Sequence, residues 1–287
     1  MNFSGIWIPL VTPLRDGSVD LGALARLVKH LAAQGVAGFV PLGSTGEAAM
    51  LSPEEQQQVL ATTLQAADGL PVICGVAGTR PQAVLARMAQ LVEGISSADG
   101  LAAFLLTAPA YVKPSQAGIV DFFSEIADAA PRPLVIYDIP SRTGVRIEAA
   151  TLQALAAHPR IVAIKDCSGD RGAAETLLTD GRLAWLGGND DELFDQLARG
   201  APGAIVATAH LATADFVALH RAFAYNRLDE ARTLWHRLAP LTRDAFAEPS
   251  PAPLKAALAH QGWLANELRT PMRPAAAATA EALLSRL

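Results

Sequence analysis

Short, continuously apolar runs alternate with stretches of helical periodicity along most of the chain. The runs are Gly5–Leu10, Gly38–Leu42, Pro71–Gly75, Leu101–Thr107, Pro133–Tyr137, Ile161–Ile164, Leu183–Gly187 and Gly203–Ala207, eight in all. They begin 20 to 33 residues apart, the spacing expected when each strand carries one crossover helix. Within each run the apolar residues continue without alternation, as they do in strands buried on both faces. Between the runs, Leu24, Leu27, Val28 and Leu31 form the stripe of a helix lying on a sheet. Ser52-Pro53-Glu54-Glu55 reads as a capping box with proline at the first helical position. Asn189-Asp190-Asp191-Glu192 is expected to open a further helix that Gly200 closes. Eight such units predict an α/β fold, a closed (β/α)8 TIM barrel in preference to an open doubly wound sheet.

After about residue 212 the strand signal stops. Phe216, Leu219 and Phe223, then Leu228, Leu234 and Leu238, keep helical spacing, and the Glu248–Pro253 stretch interrupts it once. The expected organisation is a barrel over residues 1–223 that carries the active site, with a C-terminal helical region over 224–287 packed on it. The Ala275–Ala278 run belongs to a helix on this reading, since leucines follow it at helical spacing.

Composition narrows the function. The chain has 287 residues, 51% of them hydrophobic and 18% charged, enough apolar material for one large core. A formal charge of -5 and scattered basic residues give no basis for nucleic acid as a partner. An anionic substrate must then be held by local groups. Cys74 and Cys167 are neither a disulfide framework nor a metal site, and the six histidines show no ligand spacing, so no metal is expected. No long apolar span or signal-peptide pattern occurs, and a cytoplasmic enzyme is the expectation.

In a barrel of this kind the active site lies at the C-terminal ends of the strands. Ile161–Ile164 runs directly into Lys165. The chain has four lysines among 23 basic residues, so a lysine at a buried strand end stands out. Desolvation there is expected to lower its pKa and free the amine to attack a carbonyl, which arginine cannot do. A snorkelling strand-end lysine, or one paired with Asp166, fits the same segment. Tyr137 ends the preceding run, where its phenol can shuttle a proton if a second hydroxyl, Thr45 or Tyr111, relays it. The Gly43–Gly46 turn offers the backbone N–H groups of Ser44 and Thr45 as a cradle for a carboxylate. Arg142, in the loop after Tyr137, is a candidate clamp for a second carboxylate.

Gly43-Ser44-Thr45-Gly46-Glu47, the Tyr137–Gly144 segment and Ile164-Lys165-Asp166 together resemble the dihydrodipicolinate synthase / N-acetylneuraminate lyase family, over nearly the whole chain. The Ser-Arg-Thr-Gly segment and Glu248-Pro249-Ser250-Pro251 favour the synthase branch. The resemblance implies a Schiff base on Lys165 without a cofactor, and condensation of pyruvate with aspartate-semialdehyde in lysine and diaminopimelate biosynthesis. It implies Tyr137 as proton donor and acceptor, Thr45 and Tyr111 as relay hydroxyls, and a pyruvate pocket of Ser44, Thr45, Gly188 and Ile205. Arg142 matches the arginine that holds the aldehyde's carboxylate. A homotetramer built as a dimer of dimers is implied, with Tyr111 shared across the tight dimer.

The chain departs from the synthase pattern at several positions. Ser44 stands where a relay threonine is usual, Asp138 and His210 where asparagine is usual, and Ala110 where an aromatic flanks the relay tyrosine. The Glu93–Gly100 stretch is longer than usual. Ala48, Pro53, Gln56 and Ala110 do not match the lysine-inhibition site of the family, so feedback by lysine is expected to be weak or absent. A related aldolase or dehydratase acting on a sugar acid or another 2-keto acid is the alternative, and a non-catalytic keto-acid-binding barrel a second.

Overall fold

The computed structural model describes residues 2–93 and 100–287. The long Glu93–Gly100 stretch falls largely outside the described residues. The strands are β1 (Gly5–Ile8), β2 (Leu14–Arg15), β3 (Ser18–Val19), β4 (Gly38–Phe39), β5 (Val72–Val76), β6 (Leu101–Thr107), β7 (Leu134–Asp138), β8 (Ile161–Asp166), β9 (Ala184–Gly187) and β10 (Gly203–Ile205). Eight of them close into a parallel barrel in the order β1-β10-β9-β8-β7-β6-β5-β4. All eight apolar runs of the sequence therefore became barrel strands. The antiparallel β2–β3 ribbon was not anticipated. Its turn, Asp16-Gly17, has positive φ at both residues (51° and 75°), a left-handed pair that Asp-Gly adopts readily.

The helices are α1 (Leu21–Ala33), α2 (Pro53–Ala66), α3 (Pro81–Val92), α4 (Gln116–Ala129), α5 (Pro140–Thr143), α6 (Ala149–Leu155), α7 (Arg171–Asp180), α8 (Leu193–Ala198), α9 (Thr213–Ala224), α10 (Leu228–Ala245), α11 (Ala252–His260) and α12 (Ala277–Leu284). Local chemistry fixes their starts. The Ser52 side chain accepts from the Glu55 N–H while Glu55 reaches back to the Ser52 N–H, closing the expected capping box before Pro53. Asp20, Ser115 and Asp170 cap α1, α4 and α7 in the simpler way, accepting N–H groups of the first turn. Asn189–Glu192 differs from expectation: Asp190–Glu192 is a 3-10 turn, and no side chain of Asn189 caps it. The Asp190 carboxylate is used elsewhere, as described below.

Two apolar layers result. The outer layer joins the helices to the sheet, with the predicted stripe of α1 (Leu24, Leu27, Val28 and Leu31) fully buried in it. The inner layer fills the barrel with Phe3, Trp7, Val40, Ile73, Leu105, Val135, Leu186 and Ile205, capped by Tyr137 and Ile139. Trp7 is completely buried and lies where a Cβ on Gly38 would stand, its Cε3 2.7 Å from that point, so only glycine leaves room for the indole there.

The C-terminal helices are tied to the barrel mouth by a buried ion pair. Lys255 and Glu47, 208 residues apart, lie 2.5 Å from one another and are both essentially inaccessible to solvent. Lys255 also donates to the Glu267 carbonyl (2.7 Å), and the Arg269 N–H donates to the second Glu47 oxygen (3.0 Å). Both charges are thus hydrogen-bonded, the condition under which burying a pair is tolerable. Glu47 directly follows the Ser44–Gly46 turn and holds an unusual positive φ of 54°. The pair therefore fixes the end of that turn from the far side of the chain.

Candidate active site

At the C-terminal mouth of the barrel a cavity of about 270 Å³ is lined by Ser44, Thr45, Tyr137, Arg142, Lys165 and Gly188, six residues singled out from the sequence. Two others do not line it. Ile205 is completely buried beneath, in the inner apolar layer. Tyr111 is 93% exposed, the most exposed of the large hydrophobic side chains, and its backbone is left-handed at φ 71°.

Strand register makes the centre of the site. Tyr137 on β7 and Lys165 on β8 are direct register partners, as are Asp138 and Asp166 beyond them. A register shift at Leu134/Val135 sets this alignment. Lys165 Nζ lies 4.5 Å from the centroid of the Tyr137 ring. The hydroxyl that favours the ionised Tyr137 phenol is that of Ser44, the residue standing at the usual threonine position. Gly188 closes the floor: a Cβ there would collide with Cys167 Sγ, and would lie 2.8 Å from the Asp166 carbonyl and 3.0 Å from Lys165 Cγ.

The electrostatics correct one expectation. Burial does act to lower the Lys165 pKa, but Tyr137, Cys167 and Asp190 beside it raise it by more, and the net shift is upward from 10.5. A depressed amine is therefore not what this pocket makes. Burial pushes the Tyr137 phenol up, against the opposing pull of Lys165. Burial likewise pushes the Cys167 thiol up to about 12, which leaves it a protonated, unreactive thiol at neutral pH.

Five further residues that line the cavity were given no role in it from the sequence. Cys167 lines the cavity beside Lys165 and Tyr137. Asp190, 4% exposed, also lines it, and accepts the Thr208 N–H at 2.6 Å. Thr242, Phe246 and Ser250 reach the cavity from the C-terminal helices and form its outer wall. The residue type at Asp190 was visible as part of Gly-Gly-Asn-Asp, but its helical reading concealed the turn toward Lys165.

Two buried groups adjoin the site. Asp138 is pushed up to about 7, first by burial and then by the Asp166 carboxylate, and its Oδ1 has no hydrogen-bond partner. Asp166 is better served, accepting from Trp185 Nε1 (2.8 Å) and from the Ser168 N–H (2.8 Å). Burial pulls His210 down to about 4. The neutral ring donates from Nδ1 to the Ala207 carbonyl (2.8 Å) and accepts the Val11 N–H at Nε2 (3.4 Å).

Among the described residues no cluster of three or more His, Cys, Asp or Glu side chains could hold a metal, and no helix is long and apolar enough to cross a membrane. A second cavity, of about 450 Å³, lies behind the Ser44–Tyr137 wall and is lined by Ala48, Gln56, Arg87 and Ala110 among others.

The sequence and the fold are similar to those of known proteins. A 4-hydroxy-tetrahydrodipicolinate synthase of Clostridium acetobutylicum is 34% identical over 280 residues, covering 96% of both chains. The solved dihydrodipicolinate synthase of Thermotoga maritima superposes with a TM-score of 0.94 at 30% identity, over 100% of this chain and 98% of its own. The solved structure of the chloride-inhibited dihydrodipicolinate synthase of Acinetobacter baumannii, complexed with pyruvate, superposes with a TM-score of 0.93 at 32% identity, over 99% of this chain and 97% of its own. A sequence model of the dihydrodipicolinate synthetase family matches residues 2–287. With the lysine, the tyrosine and the glycine-bounded turn in one cavity at the mouth of such a barrel, the chain belongs to the dihydrodipicolinate synthetase family.

Proposed function

We propose that the chain is a Schiff-base lyase that condenses pyruvate with aspartate-semialdehyde to 4-hydroxy-tetrahydrodipicolinate, within lysine and diaminopimelate biosynthesis. The observation that carries this reading is the buried Lys165 amine at the base of the cavity, 4.5 Å from the Tyr137 ring. Family membership and the names of the relatives support the choice of substrates.

The geometry suits each step. Because Lys165 holds its proton tightly, reaction begins when the ammonium gives that proton up. The neutral Nζ then attacks C2 of pyruvate, whose carboxylate faces the N–H groups of the Ser44–Thr45 turn. Tyr137, with Ser44 lining the same cavity, returns a proton to the departing hydroxyl, so that water leaves and an iminium forms. Loss of a methyl proton gives the enamine, whose carbon attacks the aldehyde. The amino group of the semialdehyde then displaces Lys165 and closes the ring. Arg142 holds the semialdehyde's carboxylate. No cofactor enters any step.

The relay is completed by Tyr111 of a second copy. A side chain 93% exposed on a left-handed backbone offers its phenol outward, away from its own cavity. A homotetramer of paired dimers and a cytoplasmic setting go with this reading, as the family resemblance implies.

Pyruvate followed by borohydride tests the proposal. It should inactivate the protein irreversibly and leave one reduced pyruvate unit on Lys165. Arg142→Ala should keep that trapping and lose turnover with aspartate-semialdehyde by about a hundredfold, the worth of a charge-assisted clamp. Failure of the unaltered protein to trap any 2-keto acid would overturn the Schiff-base mechanism. Full turnover in Arg142→Ala would point to a different aldehyde.

A further inference from the structure

Imine formation places a positive charge on the Lys165 nitrogen, for as long as the iminium lasts, in a cavity from which the side chain is almost wholly hidden from water, at 6% exposure. A buried cation needs a counter-charge. From the geometry we infer that Asp190 supplies it: its carboxylate is the fixed anion opposite the Lys165 ammonium in the free enzyme and the iminium in the loaded one. This rests on the Schiff-base reading above and assigns a role to a residue that reading does not use.

The groups facing Lys165 come from three elements. Tyr137 comes from β7, Cys167 from the end of β8, and Asp190 from the turn after β9, while Arg142 lines the same cavity. The phenol and the thiol are both held protonated by burial, and the guanidinium is itself a cation. Asp190 is then the cavity's buried carboxylate. Asp191 also lines the cavity but is exposed to solvent, where water screens it.

Asp190 is held in place, and although burial pushes its pKa up, hydrogen bonds and Lys165 oppose that shift. Its Oδ2 accepts the Thr208 N–H at 2.6 Å, and the Ala207 amide also favours the ionised carboxylate. Two backbone amides favour the ionised form and cost no side-chain freedom, which offsets part of the burial penalty. The pull is mutual, since Lys165 and Asp190 each favour the other's charged form. Asp190 is thus a positioning residue in the electrostatic sense: it sets the proton affinity of the nucleophile without touching pyruvate.

The experiment is the pH dependence of pyruvate–borohydride trapping. Asp190→Asn preserves shape and an amide-accepting oxygen but removes the charge. The pH of half-maximal trapping rate should fall by about one unit or more, the effect of deleting an opposite charge at close range. The pyruvate concentration needed for half-saturation should rise, because the iminium loses its partner. A role confined to bracing the Thr208 turn would lower Tm and leave the pH profile where it was. An unshifted profile overturns the inference while leaving the Schiff-base reading intact; absence of trapping in the unaltered protein overturns that reading instead. Should Asp190→Asn not fold, Asp190→Ser decides by the same profile: a fall in the pH of half-maximal trapping is expected, and an unshifted profile overturns the inference.

Discussion

Tyr137 and Lys165 sit opposite one another on adjacent parallel strands, so that the amine stands 4.5 Å from the ring centroid. Their alignment is a property of the sheet, set by a register shift three residues earlier, and it does not depend on any loop. Removing the phenol oxygen should leave that packing intact. Tyr137→Phe is expected to lower kcat by about a hundredfold or more, the usual worth of a general acid–base group, with little change in Tm. Steady-state kinetics beside thermal melting checks this; an unchanged kcat would remove Tyr137 from the proton path.

If Tyr111 completes the site of a second copy, two inactive variants should repair one another. Lys165→Ala keeps Tyr111, and Tyr111→Phe keeps Lys165. Mixed and allowed to exchange subunits, they should recover up to about a quarter of the parental activity, because hybrid dimers contain one intact site. Mixtures that stay as inactive as their parts would show that Tyr111 serves its own chain or none.

Asp138 makes stability depend on pH in a direction opposite to the usual carboxylate. Its pKa is about 7 in the folded chain against an ordinary 3.8, so unfolding releases its proton across that interval. Stability therefore falls as pH rises from about 4 to about 7 and stays lower above it, by up to roughly 4 kcal/mol. Asp138→Asn removes the titration. Its Tm should exceed the parent's by about 5 °C or more at pH 8, with the gap closing toward pH 4. A gap independent of pH would show that Asp138 does not ionise in this range.

Lysine should inhibit weakly or not at all. In the cavity behind the Ser44–Tyr137 wall, Gln56 already spends its amide on the Ala48 and Leu51 carbonyls. Arg87 binds the Gln56 oxygen and presents a cation where an amino group would have to enter. Initial rates with lysine at millimolar concentration should match those without it; half-inhibition at micromolar lysine would contradict this.

The barrel was legible because each strand is buried on both faces, which writes it as an unbroken apolar run. Lys165 was legible for the same reason: a lone lysine at the end of such a run has no face but the mouth. What the pattern could not carry was long-range packing. Nothing near Phe246 or Ser250 in the chain indicates that they wall the same cavity as Lys165, since only the docking of the C-terminal helices brings them there. The upward shift of Lys165 was hidden likewise, because it takes Tyr137, Cys167 and Asp190 together to outweigh burial. The Asp16-Gly17 turn was the one local signal passed over.

The absent side chain at Gly188 limits how such a site can diversify. Any substituent there would press on the sulfur of Cys167 and the stem of Lys165 at once, displacing the nucleophile before it altered a substrate contact. Room to alter the aldehyde's contacts lies along the rim, in the Arg142 loop and the C-terminal wall. The floor beside the nucleophile leaves no such room, because a change there moves the amine first.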